Sequence, residues 1–162
     1  MTTATVSISE TTDAEAPAAE RAMIDERRRV YRDQFGFNTF RDPRTDAITM
    51  VAGSVSAVIT PSSLGPRVRA LFGSGAVPVF SVGHRLWVFL ADGPTPTDNT
   101  AQLTADLFKC GAVPLVSGAL IVLPTPGNEK RCWMHVPDGA ARPPFAALVE
   151  VVHTTATEAG SQ

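Results

Sequence analysis

Residues 77–92 read VPVFSVGHRLWVFLAD. The stretch predicts two strongly apolar strands, residues 77–81 and 86–91, joined by a tight connection that contains Gly83. Strands this apolar need cover on both faces, so a sheet held between layers is expected at the centre of the fold.

Upstream, residues 48–52 and 55–60 are β-rich runs separated by Gly53-Ser54, which predicts a hairpin with a type II′ turn. Pro61 stops the second run. Ser62 or Ser63 then caps a helix to Phe72, with Leu64, Val68, Leu71 and Phe72 on one face and Pro66 tolerated in the first turn. Gly73 closes that helix, and residues 73–75 read as a link to the central strands. Further upstream, residues 1–15 have no apolar period and read as a disordered tail. Pro17 suits the first turn of a helix to Gln34, whose stripe of Met23, Ile24, Val30, Tyr31 and Phe35 is interrupted by Arg27. The run Arg27, Arg28, Arg29 is either a solvated face with pairs such as Asp25–Arg29, or a face that docks a partner or meets phosphate. Gly36 ends the helix, and a loop to Asp46 tucks Phe37 and Phe40 onto the core.

Downstream, a helix is predicted over residues 98–110, capped by Asp98 or Asn99, with Leu103, Leu107 and Phe108 inward and Gly111 as the stop. Strands follow at 113–116 and 118–123, the latter apolar enough to be buried on both faces, and then at 131–136. Pro143-Pro144 opens a last helix to His153 with Phe145, Leu148, Val149 and Val152 inward, leaving 154–162 as a polar tail. The sum is an α+β fold, a mixed sheet with helices packed on it, in a single domain over residues 16–153.

Composition bounds the function. The 162 residues suffice for one core, and 44% hydrophobic against 19% charged is a globular balance. A formal charge of −2 and a pI near 5.9 give no overall pull toward nucleic acid. No leader pattern or membrane span is read, so a cytoplasmic protein is expected. The two cysteines, Cys110 and Cys132, are expected as small, partly buried thiols and not as a disulfide.

The polar residues assemble no complete chemical signature. Cys132 and His135 have C-x-x-H spacing, but on a strand they point to opposite faces and too few further ligands exist for zinc. Gly73-Ser74-Gly75 lacks the Lys-Ser/Thr ending of a phosphate loop, and the segment around Ser54 lacks the second glycine of a nucleophile elbow. Residues 47–91 contain no Asp or Glu, which argues against a hard-cation site on the sheet. Neither metal nor cofactor is expected. A basic edge for phosphates could form from Arg67, Arg69, His84, Arg85, Lys130 and Arg131, which equally suit an ordinary solvated surface.

Four stretches carry a family resemblance: the pair of runs over 48–60 ending in Pro61, the strand–turn–strand at 79–90, Gly118-Ala119-Leu120-Ile121-Val122-Leu123-Pro124-Thr125-Pro126, and Cys132-Trp133 with Pro137-Asp138-Gly139 and Pro143-Pro144-Phe145. Over residues 48–152 the chain resembles the later part of the bifunctional primase–polymerase N-terminal domains common in actinobacterial proteins, which are similar to archaeo-eukaryotic primases. The resemblance implies a nucleotide-polymerising site of metal-binding acids and a histidine on a sheet. Here Ser56 and Ile59 stand where the first two carboxylates would fall, Leu86 stands at the histidine position with His84 two residues earlier, and Val113-Pro114-Leu115-Val116 replaces the last acid. The part of the family domain before residue 48 is replaced by the arginine-rich helix. Without those oxygens nothing holds Mg²⁺ for phosphoryl transfer. The resemblance therefore implies a catalytically silent relative with no catalytic residues. A well-patterned core with empty catalytic positions leads to the expectation of a protein that acts by binding another protein, in a regulatory role, with Arg27, Arg28 and Arg29 of the helix at the docking face. The alternatives are a nucleic-acid or nucleotide binder using the basic edge, and an enzyme of some other chemistry.

Overall fold

The computed structural model describes residues 7–73 and 77–160, with side chains from residue 18 onward. The elements in chain order are α1 (Ser7–Phe35), β1 (Thr39–Arg41), β2 (Ile48–Val51), β3 (Val55–Pro61), α2 (Gly65–Phe72), β4 (Val79–Val82), β5 (Leu86–Asp92), α3 (Thr100–Lys109), β6 (Val113–Leu115), β7 (Leu120–Val122), β8 (Arg131–His135) and α4 (Phe145–Gly160). The class is α+β, with a five-stranded sheet in the order β6-β3-β5-β4-β8 and a three-stranded sheet in the order β1-β2-β7.

Every strand pairing is antiparallel, so the expected mixed sheet is corrected. The reason is the β4–β5 hairpin. Strands β3 and β4 run the same way, joined over α2, but the hairpin inserts β5 between them, and β5 and β6, which also run the same way across α3, are separated by β3.

The expected hairpin over residues 48–60 does not form. β2 pairs with β1 and β7, whereas β3 pairs with β5 and β6, so Gly53-Ser54 is a corner at which the chain passes from one sheet to the other. The same partner run accompanies it round the bend. Ala57 to Ile59 pair with Leu115 to Val113, Ala52 N–H donates to Ala119 O at 2.7 Å and its carbonyl accepts from Gly118 N–H at 3.0 Å, and Val51 pairs with Leu120. Gly93 closes the corner from the other side. Its amide donates to Ser54 O at 2.9 Å, and a Cβ on it would collide with the Gly53 carbonyl oxygen.

The central strands are covered on both faces, as residues 77–92 imply. Along β5, Val88 and Leu90 enter one core with Phe80, Ala57 and Val55, while Phe89 and Ala91 enter a second with Val58 and Val79. The second core is roofed by α2, α3 and α4 through Val68, Leu107, Phe145, Leu148, Val149 and Val152. The first is closed by α1 and the small sheet, through Ile24, Tyr31, Phe35, Ile48, Met50, Ile121 and Leu123.

Several expectations at the periphery change. Helix α1 already runs from Ser7, inside the stretch read as a tail, and Pro17 lies within it; a proline there forgoes one backbone bond, and the Ala- and Glu-rich flanks carry the helix across. α4 likewise continues past His153 to Gly160. Residues 1–6, 161 and 162, and most of the expected 73–75 link, lie outside the described residues. β7 is not buried on both faces: Ile121 faces the core, but Leu120 is 56% exposed, because none of the described residues forms a layer over the outer face of the small sheet there. Met23, Leu71 and Phe108 also face outward at the margins of their helical stripes, and Phe40 on β1 is exposed where Phe37 is buried. α2 starts from Leu64 without a serine side-chain cap, whereas Asn99 Oδ1 caps α3 by accepting from Gln102 N–H at 3.1 Å. Both cysteines are free, Cys110 half-buried and Cys132 exposed. Among the described residues no helix is long and apolar enough to cross a membrane.

Candidate functional site

Two of the positions where the resemblance places chemistry, Ser56 and Ile59, are built into the packing. Ser56 is fully buried on β3 and its hydroxyl donates to Asp92 O at 2.8 Å. Ile59 packs against the first core, and residues 113–115 form the edge strand β6. Leu86 begins β5 at the surface. Among the described residues no group of three or more His, Cys, Asp or Glu is arranged to hold a metal ion. On β8 the exposed Cys132 and half-buried His135 fall on alternate sides of the strand, as their spacing dictates.

The basic edge is only partly assembled. The β4–β5 turn and the start of β8 meet at one end of the large sheet, where Gly83 N–H donates to Lys130 O at 2.7 Å. His84 and Lys130 thereby line one cavity of about 470 Å³ with Ser81, Gly83, Glu129 and Cys132. Arg85 is exposed in the same turn, its carbonyl accepting from Ser62 N–H at 2.7 Å. Arg131 points to the opposite face from Cys132; its Nε is buried without a partner, and burial lowers its pKa from the usual guanidinium range. Arg67 lies elsewhere, in a hollow between α2 and the end of α4 with Glu158, and Arg69 is half-buried in the last turn of α2.

The arginine run on α1 is split by helical periodicity, successive side chains diverging by about 100°. Arg27 lines one hollow with Met23, Glu26, Val30 and Pro126. Arg28 and Arg29 turn to a different, polar cavity of about 460 Å³, completed by Asp25, Arg32, Asn38 and Thr39. Gly36, with φ of 73°, ends α1 in the left-handed region and folds Asn38 and Thr39 back beside the helix. Arg28 fastens that return: its Nη2 donates to Thr39 O at 3.0 Å, its Nη1 lies 3.8 Å from Asp25, and its Nε is buried with no partner. Arg29 Nη1 pairs with Glu26 at 2.6 Å and Arg32 Nε with Asp33 at 3.0 Å, all four side chains more than half exposed. The expected Asp25–Arg29 pair is thus replaced by two i,i+3 pairs. Arg41 lies 3.6 Å from both Asp25 and Asp46. Arg32 and Asn38 are absent from the sequence-based set, although the i,i+4 spacing of Arg28 and Arg32 ahead of a helix-ending glycine was a usable signal.

Behind this face α1 is anchored by Tyr31, which is 1% exposed. Its hydroxyl donates to Pro124 O at 2.6 Å and accepts from Trp133 Nε1 at 3.0 Å. Burial raises the Tyr31 pKa above the ordinary phenol value, opposed by the Trp133 bond and by Arg27.

No family model, curated protein or solved structure matches this chain.

Proposed function

We propose that the chain is a catalytically silent relative of primase–polymerase domains that acts by binding another protein, with the arginine-bearing face of α1 as its docking face. The observation that carries this reading is the cavity between α1 and β1, where Arg28, Arg29 and Arg32 surround an open polar space. The filled interior of the large sheet supports it from the other side, since apolar packing and the bonded Ser56 hydroxyl occupy the positions a carboxylate pair would need. The partner surface that complements this face is acidic.

Capture of partners from native cytosol tests the reading. The wild-type chain retains a protein that the triple variant Arg28→Gln, Arg29→Gln, Arg32→Gln loses and that Arg67→Gln, Arg69→Gln keeps; equal capture by all three refutes the docking face. Nucleotide incorporation with Mg²⁺ or Mn²⁺ would overturn catalytic silence.

A second reading, nucleic-acid binding at the sheet end, is favoured by the cavity shared by His84 and Lys130. A mobility shift that weakens steeply with salt and disappears in His84→Gln, Lys130→Gln supports it. Absence of a shift at low salt removes it.

A further inference from the structure

We infer that the cavity between α1 and β1 is a binding site for a phosphate monoester dianion, an inference that rests on the protein-binding reading only for the identity of the molecule that carries the phosphate. Three observations converge on it. The lining residues place three arginines against one aspartate, and the two further carboxylates that balance them, Glu26 and Asp33, do so only in exposed pairs that a dianion can displace. Guanidinium groups present planar pairs of N–H donors that match phosphate oxygens two at a time, and three such groups on adjoining turns can hold the remaining oxygens of one tetrahedral group. Finally, Arg28 reaches the cavity wall already oriented, its Nη2 bonded to Thr39 O and its Nη1 beside Asp25, so little freedom is lost when an anion binds there.

The remaining charges set what must move. Arg29 and Arg32 are held by Glu26 and Asp33 in exposed pairs, which contribute little and exchange readily for a stronger acceptor. Asp25 stays in the cavity wall but is shared between Arg28 at 3.8 Å and Arg41 at 3.6 Å, and Arg41 in turn lies 3.6 Å from Asp46. The Asn38 amide, brought round by Gly36, adds a neutral donor at the rim.

The test uses the full chain and isolated probes: inorganic phosphate, the acetylated amide of phosphoserine, and acetate, each titrated while side-chain and backbone resonances are followed by NMR. Saturable shifts are expected at Arg28, Arg32, Asn38 and Thr39, with acetate binding about tenfold more weakly than phosphate because it carries one charge. Arg32→Lys, which keeps the charge and removes the planar fork at an exposed position, weakens phosphate about tenfold, as does Arg28→Lys, while Arg67→Lys leaves it unchanged. Non-saturating shifts spread over every arginine, or unchanged affinity in Arg32→Lys, overturn the site. Binding of the phosphoserine amide at least as tight as inorganic phosphate supports a phosphorylated protein as the source. Binding of inorganic phosphate with the amide excluded also supports the site but assigns it to free phosphate. Since no probe requires a partner, failure here leaves protein capture to be decided by its own experiment.

Discussion

Two glycines that face one another at the corner between the sheets have opposite sensitivities to the same substitution. A methyl group on Gly93 points into the carbonyl oxygen of Gly53, with the carbonyl carbon at 3.1 Å and Ser54 Cα at 3.5 Å. These are backbone atoms that cannot rotate away, so Gly93→Ala must push the start of the loop after β5 off the corner. Overpacking of this kind costs about 1–3 kcal/mol. Loss of the 2.9 Å bond from Gly93 N–H to Ser54 O adds about 1 kcal/mol. The expected destabilisation is therefore about 3 kcal/mol, a large part of the roughly 5–15 kcal/mol that holds a domain folded. With about 2–4 °C lost per kcal/mol in a chain of this size, the unfolding midpoint falls by about 10 °C. On Gly53 the same methyl group meets nothing within 4 Å, so Gly53→Ala stays within about 0.5 kcal/mol of the parent. Urea and thermal unfolding followed by the fluorescence of the two tryptophans, Trp87 and Trp133, measure both variants. The reasoning is refuted if Gly93→Ala unfolds with the parent, or if Gly53→Ala falls as far as Gly93→Ala.

Tyr31→Phe removes the acceptor of the Trp133 indole N–H and the donor to the buried Pro124 carbonyl, and destabilises by about 2 kcal/mol in the same urea titration. Because burial raises the Tyr31 pKa in the folded state, the stability this group contributes is complete below the ordinary phenol pKa and is lost as pH rises from there through the folded value. Tyr31 is the sole tyrosine, so phenolate absorbance reads it directly, and ionisation at the free-phenol pH in the folded protein would contradict the buried placement. Thiol reagents label Cys132 before Cys110, since Cys132 is exposed whereas burial and the neighbouring Asp106 raise the Cys110 thiol pKa; peptide mapping of brief labelling decides the order. Asn99→Ala removes the side-chain acceptor for Gln102 N–H and costs about 1 kcal/mol, seen as a lower urea midpoint.

What was legible in the sequence is what local periodicity encodes. The run VPVFSVGHRLWVFLAD announces strands buried on both faces, and Phe145, Leu148, Val149 and Val152 fall on one helical stripe that the fold buries entirely. Pairing partners were not legible. Gly53-Ser54 between two β-rich runs has the same local chemistry as a hairpin turn; its role as a corner is decided by residues 113–122, more than fifty positions away. β1 is three residues long, too short to show alternation, and gains its strand character from β2. Leu120 looked like core because its neighbours are core, and nothing local states that the outer face of the small sheet is uncovered. At the candidate site the arginine run was visible, but its splitting needs the helix phase, and the contribution of Arg32 and Asn38 needs the reversal at Gly36.

Because residues 113–122 stay hydrogen-bonded to the β2–β3 run on both sides of the bend, the two sheets cannot open like the covers of a book. Ladder bonds on either side of Ala52 would have to break together, so the amide proton of Ala52 exchanges more slowly than those on the outer edges of β1 and β8.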